Sequence, residues 1–128
     1  MNRRIIRMTG WRAGSRRRGI PIGLLTTTGR RSGTPRTTPV MYLEDGGRFF
    51  VVPSNSGFDH HPDWFLNLVA SPSATFEAEG DEWQVRATVL DEAEASDRWP
   101  TLVAHNPLWG AYQELTDRCV PVVSLDRT

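Results

Sequence analysis

The chain contains no lysine; all fifteen of its basic residues are arginine. Apart from histidine, any side-chain cation it offers to an anion is therefore a guanidinium, whose planar fork matches phosphate or carboxylate oxygens two at a time. Cys119 is the only cysteine, which excludes an internal disulfide and fits a reducing compartment such as the cytoplasm. It lies in an apolar run and is expected to be a buried, inert thiol. No apolar run approaches the roughly 18 residues that a membrane-spanning helix needs. The N-terminal arginines are not followed by the apolar stretch of a secretion signal. There is no GxGxxG and no Walker loop, so a dinucleotide or P-loop fold has no support. A serine–histidine–acid triad is also missing: Ser54 could meet His105, but nothing places an acid behind the imidazole. His60 and His61 are neighbours whose rings diverge, with no third ligand at a useful spacing, so no metal site is expected.

What is present is unevenly spread. The formal net charge is zero, yet residues 1–36 hold ten arginines and no acid, whereas residues 37–128 hold five arginines and fifteen acids. Such polarity suggests an anionic partner at the basic end. Residues 1–22 form a basic segment, either a short amphipathic helix through Trp11 or a floppy arm. At 128 residues the chain is one domain with a single core, placed at residues 23–128.

Residues 23–28 and 37–43 are rich in threonine and branched apolar residues and read as strands. Glu44-Asp45-Gly46-Gly47 is a hairpin turn, and Arg48–Pro53 returns as a strand. Pro62 opens a helix with Trp64, Phe65, Leu68 and Val69 at helical spacing. Residues 74–79 and 82–90 alternate as strands. Asp91 with Glu94 forms a capping box for a helix that bends or restarts at Pro100. Asn106-Pro107 breaks that helix, a shorter one runs over 108–115, and residues 119–125 close as a strand. About six strands with mostly hairpin connections and no βαβ alternation argue for a mainly-β fold, a closed antiparallel barrel with helical insertions.

Between the first two strands lies GRRSGTPR, with Arg30, Arg31, Arg36, Ser32 and two glycines. Glycine lets backbone N–H groups approach a ligand, and the arginines suit a polyanion. A solvated basic hairpin is the plain alternative. A second polar loop, Ser54-Asn55-Ser56-Gly57, carries groups able to bond the edge of a flat heterocycle, or is an ordinary turn. Asn106, Trp109 and Tyr112 recur every three residues on one side of a helix, a spacing that fits core or pocket wall.

Taken in order, TTTGRRSGTPRTTP, Pro53-Ser54-Asn55-Ser56-Gly57, His61-Pro62-Asp63-Trp64 with Asn67-Leu68, Trp99-Pro100, Tyr112-Gln113 and Thr116-Asp117-Arg118 resemble the deazaflavin-dependent nitroreductase family over most of the chain. The resemblance implies a split β-barrel similar to flavin-mononucleotide-binding oxidoreductases. It implies coenzyme F-420 (8-hydroxy-5-deazaflavin) as cofactor and hydride transfer to a small-molecule acceptor such as a quinone, enone or nitro compound. By the same resemblance Arg30, Arg31, Ser32 and Arg36 would hold the phosphate and polyglutamate tail, and Pro39 would belong to the cofactor site. Backbone around Val52, Pro53 and Ser54, with Asn55 and Ser56, would hold the ring, and Trp64 and Asn67 would border the tail. Asn106, Trp109 and Tyr112 would wall the acceptor site, with Tyr112 donating a proton. Relatives commonly carry lysine at the Asn55 position and tyrosines where Asn106 and Trp109 stand. Two alternatives stand beside this reading. One is a non-enzymatic module that binds a polyanion or an anionic membrane face, nucleic acid being disfavoured because no exposed aromatics interleave with the arginines. The other is the same barrel with FMN. Monomer and dimer both remain open.

Overall fold

The computed structural model describes residues 15–17 and 20–128; the basic segment at residues 1–14, and with it any amphipathic helix through Trp11, lies outside the described residues. Among the described residues eight strands form one antiparallel sheet: β1 (Ser15–Arg17), β2 (Ile20–Thr28), β3 (Pro35–Met41), β4 (Leu43–Asp45), β5 (Arg48–Val51), β6 (Ser73–Ala78), β7 (Asp81–Val89) and β8 (Val123–Arg127). Their order is β1-β2-β6-β7-β8-β5-β4, with β3 also paired to β2. Only Tyr42 separates β3, on β2, from β4, on β5. One run of chain therefore joins the two ends of the sheet and curls it into a split barrel. Tyr42 is fixed at this crossing. Its N–H donates to the Pro21 carbonyl at 3.3 Å, and its buried ring meets Phe49 and Phe76 edge-on at 5.8 and 5.3 Å.

Strand β5 shows why the sequence around it is apolar without interruption. Successive side chains of a strand point to opposite faces. Phe49 and Val51 enter the barrel core with Leu25, Phe76, Val85 and Leu125. Phe50 and Val52 enter a second core on the outer face with Leu102, Trp109, Val120 and Val122. That second core is roofed by helices α2 (Glu92–His105) and α3 (Pro107–Glu114); α1 (Asp63–Ala70) lies instead beside β2.

The helix signals hold with adjustments. Pro62 is the N-cap of α1, just ahead of the first turn. The Asp91 carboxylate accepts from the Glu94 N–H at 2.8 Å, as a capping residue should. Helix α2 runs on through Pro100 without restarting. The carbonyl that Pro100 leaves without its usual donor belongs to Ser96, and both residues are exposed, where water can serve it. The last strand begins at Val123, four residues later than the sequence suggests, because Pro121 has no N–H to give a ladder. Cys119 is exposed, against expectation. In this extended approach to β8 alternate residues face opposite ways; Val120 and Val122 take the core side, which turns Cys119 outward.

Candidate functional site

The arginine turn between β2 and β3 leans on α1, and together they enclose a groove of about 580 Å3. Gly29, Arg30, Arg31, Ser32, Arg36 and Trp64 are among its lining residues, so three guanidiniums face one carboxylate, that of Asp63. The turn closes on itself: Gly29 N–H donates to the Thr34 carbonyl and Gly33 N–H to the Gly29 carbonyl, both at 2.8 Å. A Cβ on Gly29 would lie 2.7 Å from Ser32 Oγ, which would have to swing away, and 3.2 Å from the Thr34 carbonyl oxygen, so a larger residue would crowd this tight form.

The three arginines have different tasks. Arg30 is committed to the protein. Its backbone N–H and its NH1 both donate to Asn67 Oδ1, at 3.2 and 2.9 Å, and its NH2 pairs with Asp63 at 3.2 Å. The Asn67 amide in turn donates to Thr27 Oγ1 at 3.2 Å. Asn67 is 4 % exposed, so it spends both ends of its side chain locking α1 to the β2–β3 turn. Arg31 has neither a hydrogen bond nor an ion pair among the described residues. Arg36 makes one long bond to Ser32 Oγ at 3.4 Å and has no acidic partner among the described residues. Arg31 and Arg36 are thus the cations available to a ligand. Pro39 lies on β3 outside the groove lining.

The loop from Pro53 to His61 is the second feature. Asn55, Ser56 and Gly57 all have positive φ, at 49°, 54° and 85°. Left-handed backbone costs a residue with a Cβ about 1–2 kcal/mol, so something must hold this loop. Helix α3 packs against it: a Cβ on Gly57 would sit 2.8 Å from Leu115 Cβ and 3.1 Å from the Tyr112 carbonyl oxygen. Arg118 holds it too, by donating to the carbonyls of Pro53, Ser54 and Phe58. Asn55 uses its amide NH2 on the His60 carbonyl at 3.1 Å, which leaves Oδ1 for a ligand. Ser56 is exposed; Ser54 is buried, and Val52 is part of the second core. His61 contacts Phe65 of α1 and accepts from Arg118, and burial first, then the Arg118 charge, holds its pKa below the ordinary histidine range. The His61 contacts therefore link loop and groove.

The acceptor-site expectation needs correction. Asn106 and Trp109 do not wall an open pocket. Asn106 is 0 % and Trp109 1 % exposed. Asn106 caps α3, accepting from Leu108 N–H at 3.1 Å, while its amide lies 3.4 Å from Met41 Sδ. Trp109 packs on Phe50 and Leu102 in the second core. A period of three places residues on one face but does not say which face is inward. Tyr112 is half-buried, beside the 53–61 loop, and its phenol has no hydrogen-bond partner among the described residues. Arg118, by contrast, was not singled out from the sequence as a site residue. Its signal was its place in the Thr116-Asp117-Arg118 block of the resemblance, which does not tell what the side chain touches.

A family model described as F420H(2)-dependent quinone reductase matches residues 1–127. An F420H(2)-dependent quinone reductase of Mycobacterium tuberculosis (strain ATCC 25618 / H37Rv) is 33 % identical over 127 residues, covering 96 % of this chain and 85 % of the relative. A second protein of the same strain, named a putative F420H(2)-dependent quinone reductase, is 31 % identical over 109 residues, or 85 % of this chain and 92 % of that one. The solved structure of an F420-H2 dependent reductase, FDR-A, superposes with a TM-score of 0.76 at 34 % identity, covering 83 % of this chain and 94 % of that one. The chain belongs to the F420H(2)-dependent quinone reductase family.

Proposed function

We propose that this protein transfers hydride from reduced coenzyme F-420 to a small electron-poor acceptor of the quinone type. The observation that carries the reading is the groove in which Arg31 and Arg36 stand without acidic partners among the described residues. Two free guanidiniums on a turn already held by Arg30 and Asn67 fit a tail of phosphate and carboxylates, because their geometry is set before the anion arrives. When bound, the coenzyme supplies the hydride, from C5 of its ring. The protein's part is to bind, orient and keep water away. In this reading Arg31, Arg36 and the Ser32 hydroxyl hold the tail, with Trp64 along the groove wall. Backbone from Pro53 to Ser56, with Asn55 Oδ1 and the Ser56 hydroxyl, faces the ring. Tyr112 stands beside that loop and donates a proton to the acceptor oxygen as hydride is delivered. The seven arginines of residues 1–22 extend the proposal to peripheral contact with an anionic membrane face; among the described residues no helix is long and apolar enough to cross one.

Titration of the purified protein with F-420 and, separately, with FMN tests the cofactor. Saturable binding of F-420, with oxidation of its reduced form on adding a quinone, is the expected result. Binding of FMN alone would overturn it in favour of a flavin enzyme on the same barrel. Tyr112→Phe tests the proton donor. It keeps the ring and removes only the hydroxyl, so quinone reduction should slow by at least roughly tenfold with F-420 affinity and melting temperature unchanged. Full turnover in Tyr112→Phe would remove Tyr112 from the chemistry.

A further inference from the structure

Arg118 lies between α3 and β8, some sixty residues along the chain from the loop that it touches. Through NH2 it donates to the carbonyls of Pro53 at 3.1 Å and Ser54 at 2.9 Å, and through Nε to that of Phe58 at 3.0 Å. Its NH1 lies 3.0 Å from Nδ1 of His61. One planar group thus reaches the start, the middle and the end of the 53–61 loop. A guanidinium has donors and no acceptor. Nδ1 of His61 must therefore accept, which makes His61 a neutral imidazole carrying its proton on Nε2.

Within the loop, backbone bonds are few: Gly57 N–H to the Ser54 carbonyl and Phe58 N–H to that of Asn55, both at 3.0 Å. These flank the three residues of positive φ and give no ladder to hold them. Arg118 is itself fixed. Its N–H donates to Thr116 Oγ1 at 3.3 Å, and its carbonyl accepts from Gln113 Nε2 at 2.8 Å. The other end of that amide, Gln113 Oε1, accepts from Val120 N–H at 2.9 Å, which ties the arrangement to α3 and the second core.

We propose that Arg118 is a positioning residue for hydride transfer: it locks the ring-side loop in its left-handed form and fixes His61 as a neutral imidazole, without touching coenzyme or acceptor. The proposal rests on the reading that Pro53 to Ser56 face the ring. It requires an arginine, because lysine presents three donors from one point and cannot span three carbonyls and an imidazole.

Arg118→Lys and Arg118→Ala test it, with two readouts. In ligand-free protein, amide exchange at Gly57 and Phe58 should speed up in both variants, and the 15N shifts of His61 should lose the signature of an unprotonated Nδ1. In single-turnover reactions at saturating F-420, hydride transfer to a quinone should slow by at least roughly tenfold, since misplacement of about an ångström costs that much or more. The F-420 dissociation constant should move much less, because Arg31 and Arg36 are untouched. A residue that served stability alone would lower the melting temperature and leave transfer per folded molecule as it was. Unchanged exchange at Gly57 and Phe58 in both variants overturns the clamp while leaving the ring-side reading standing. Faster exchange with full transfer rate overturns the placement of the ring on this loop, and the positioning role with it. If Arg118→Ala does not fold, Arg118→Lys alone carries both readouts.

Discussion

Replacing Arg31 and Arg36 together by alanine is expected to weaken F-420 binding by at least about a hundredfold. A hydrogen bond to a charged group is worth about 1.5–3 kcal/mol, and each 1.4 kcal/mol is tenfold in affinity. Each single variant should therefore cost roughly tenfold or more. Neither guanidinium supports the fold: both residues are exposed, Arg31 has no partner among the described residues, and Arg36 has only the long contact to Ser32. The melting temperature should stay close to that of the unaltered protein. Arg30→Ala makes the contrast. It strips the NH1 donor from buried Asn67 Oδ1, which keeps only the Arg30 backbone N–H, and removes the pair with Asp63, so it should loosen the turn as well as lower affinity. Because the groove is open to solvent, wild-type binding should weaken as salt rises, and the double variant should show a flatter salt dependence. Isothermal titration of the five proteins at two salt concentrations measures all of this. Superimposable curves for wild type and the double variant would show that the groove is not the tail site.

The groove and its turn were legible in the sequence because they are local: glycines, arginines and the flanking threonine strands lie within fifteen residues of one another. So was most of the sheet, since alternation and turn chemistry are written into consecutive residues. What was not legible is long-range. Nothing near Asn67 reveals that it serves Arg30 and Thr27 across 37 and 40 residues. The reach of Arg118 to the 53–61 loop is of the same kind. Facing is the other blind spot. A helical period puts Asn106, Trp109 and Tyr112 on one side, but only the packing of α3 over β5 decides that the first two are core and the third is at its edge. The same ambiguity hid Cys119, whose neighbours Val120 and Val122 signal apolar burial while the alternation of the chain turns the thiol out.

Trp109→Ala separates core from pocket wall with a large effect. Trp109 is 1 % exposed and shares the second core with Phe50, Val52, Leu102 and Val122. Around it the packing is close: a Cβ on the next residue, Gly110, would lie only 3.1 Å from Val103 Cγ1 of α2. Met41 at the edge of this core can fill only part of a cavity left by the indole, since β5 is held by the sheet on one side and α2 by its own hydrogen bonds on the other. Aromatic-to-alanine changes at such sites cost about 3–5 kcal/mol, a large share of the roughly 5–15 kcal/mol that holds a domain together. For a chain of this length that lowers the melting temperature by about 10–20 °C. Trp109→Phe keeps an aromatic ring in the site and should lose less. Because α3 also bears on Gly57, turnover in Trp109→Ala should fall through loss of folded protein rather than through a higher KM for quinone, and at a temperature well below the melting transition most of it should return. Thermal melts run beside quinone kinetics decide between the two roles: a melting temperature unchanged within a few degrees, joined to a raised quinone KM, would put Trp109 back on the wall of the acceptor site.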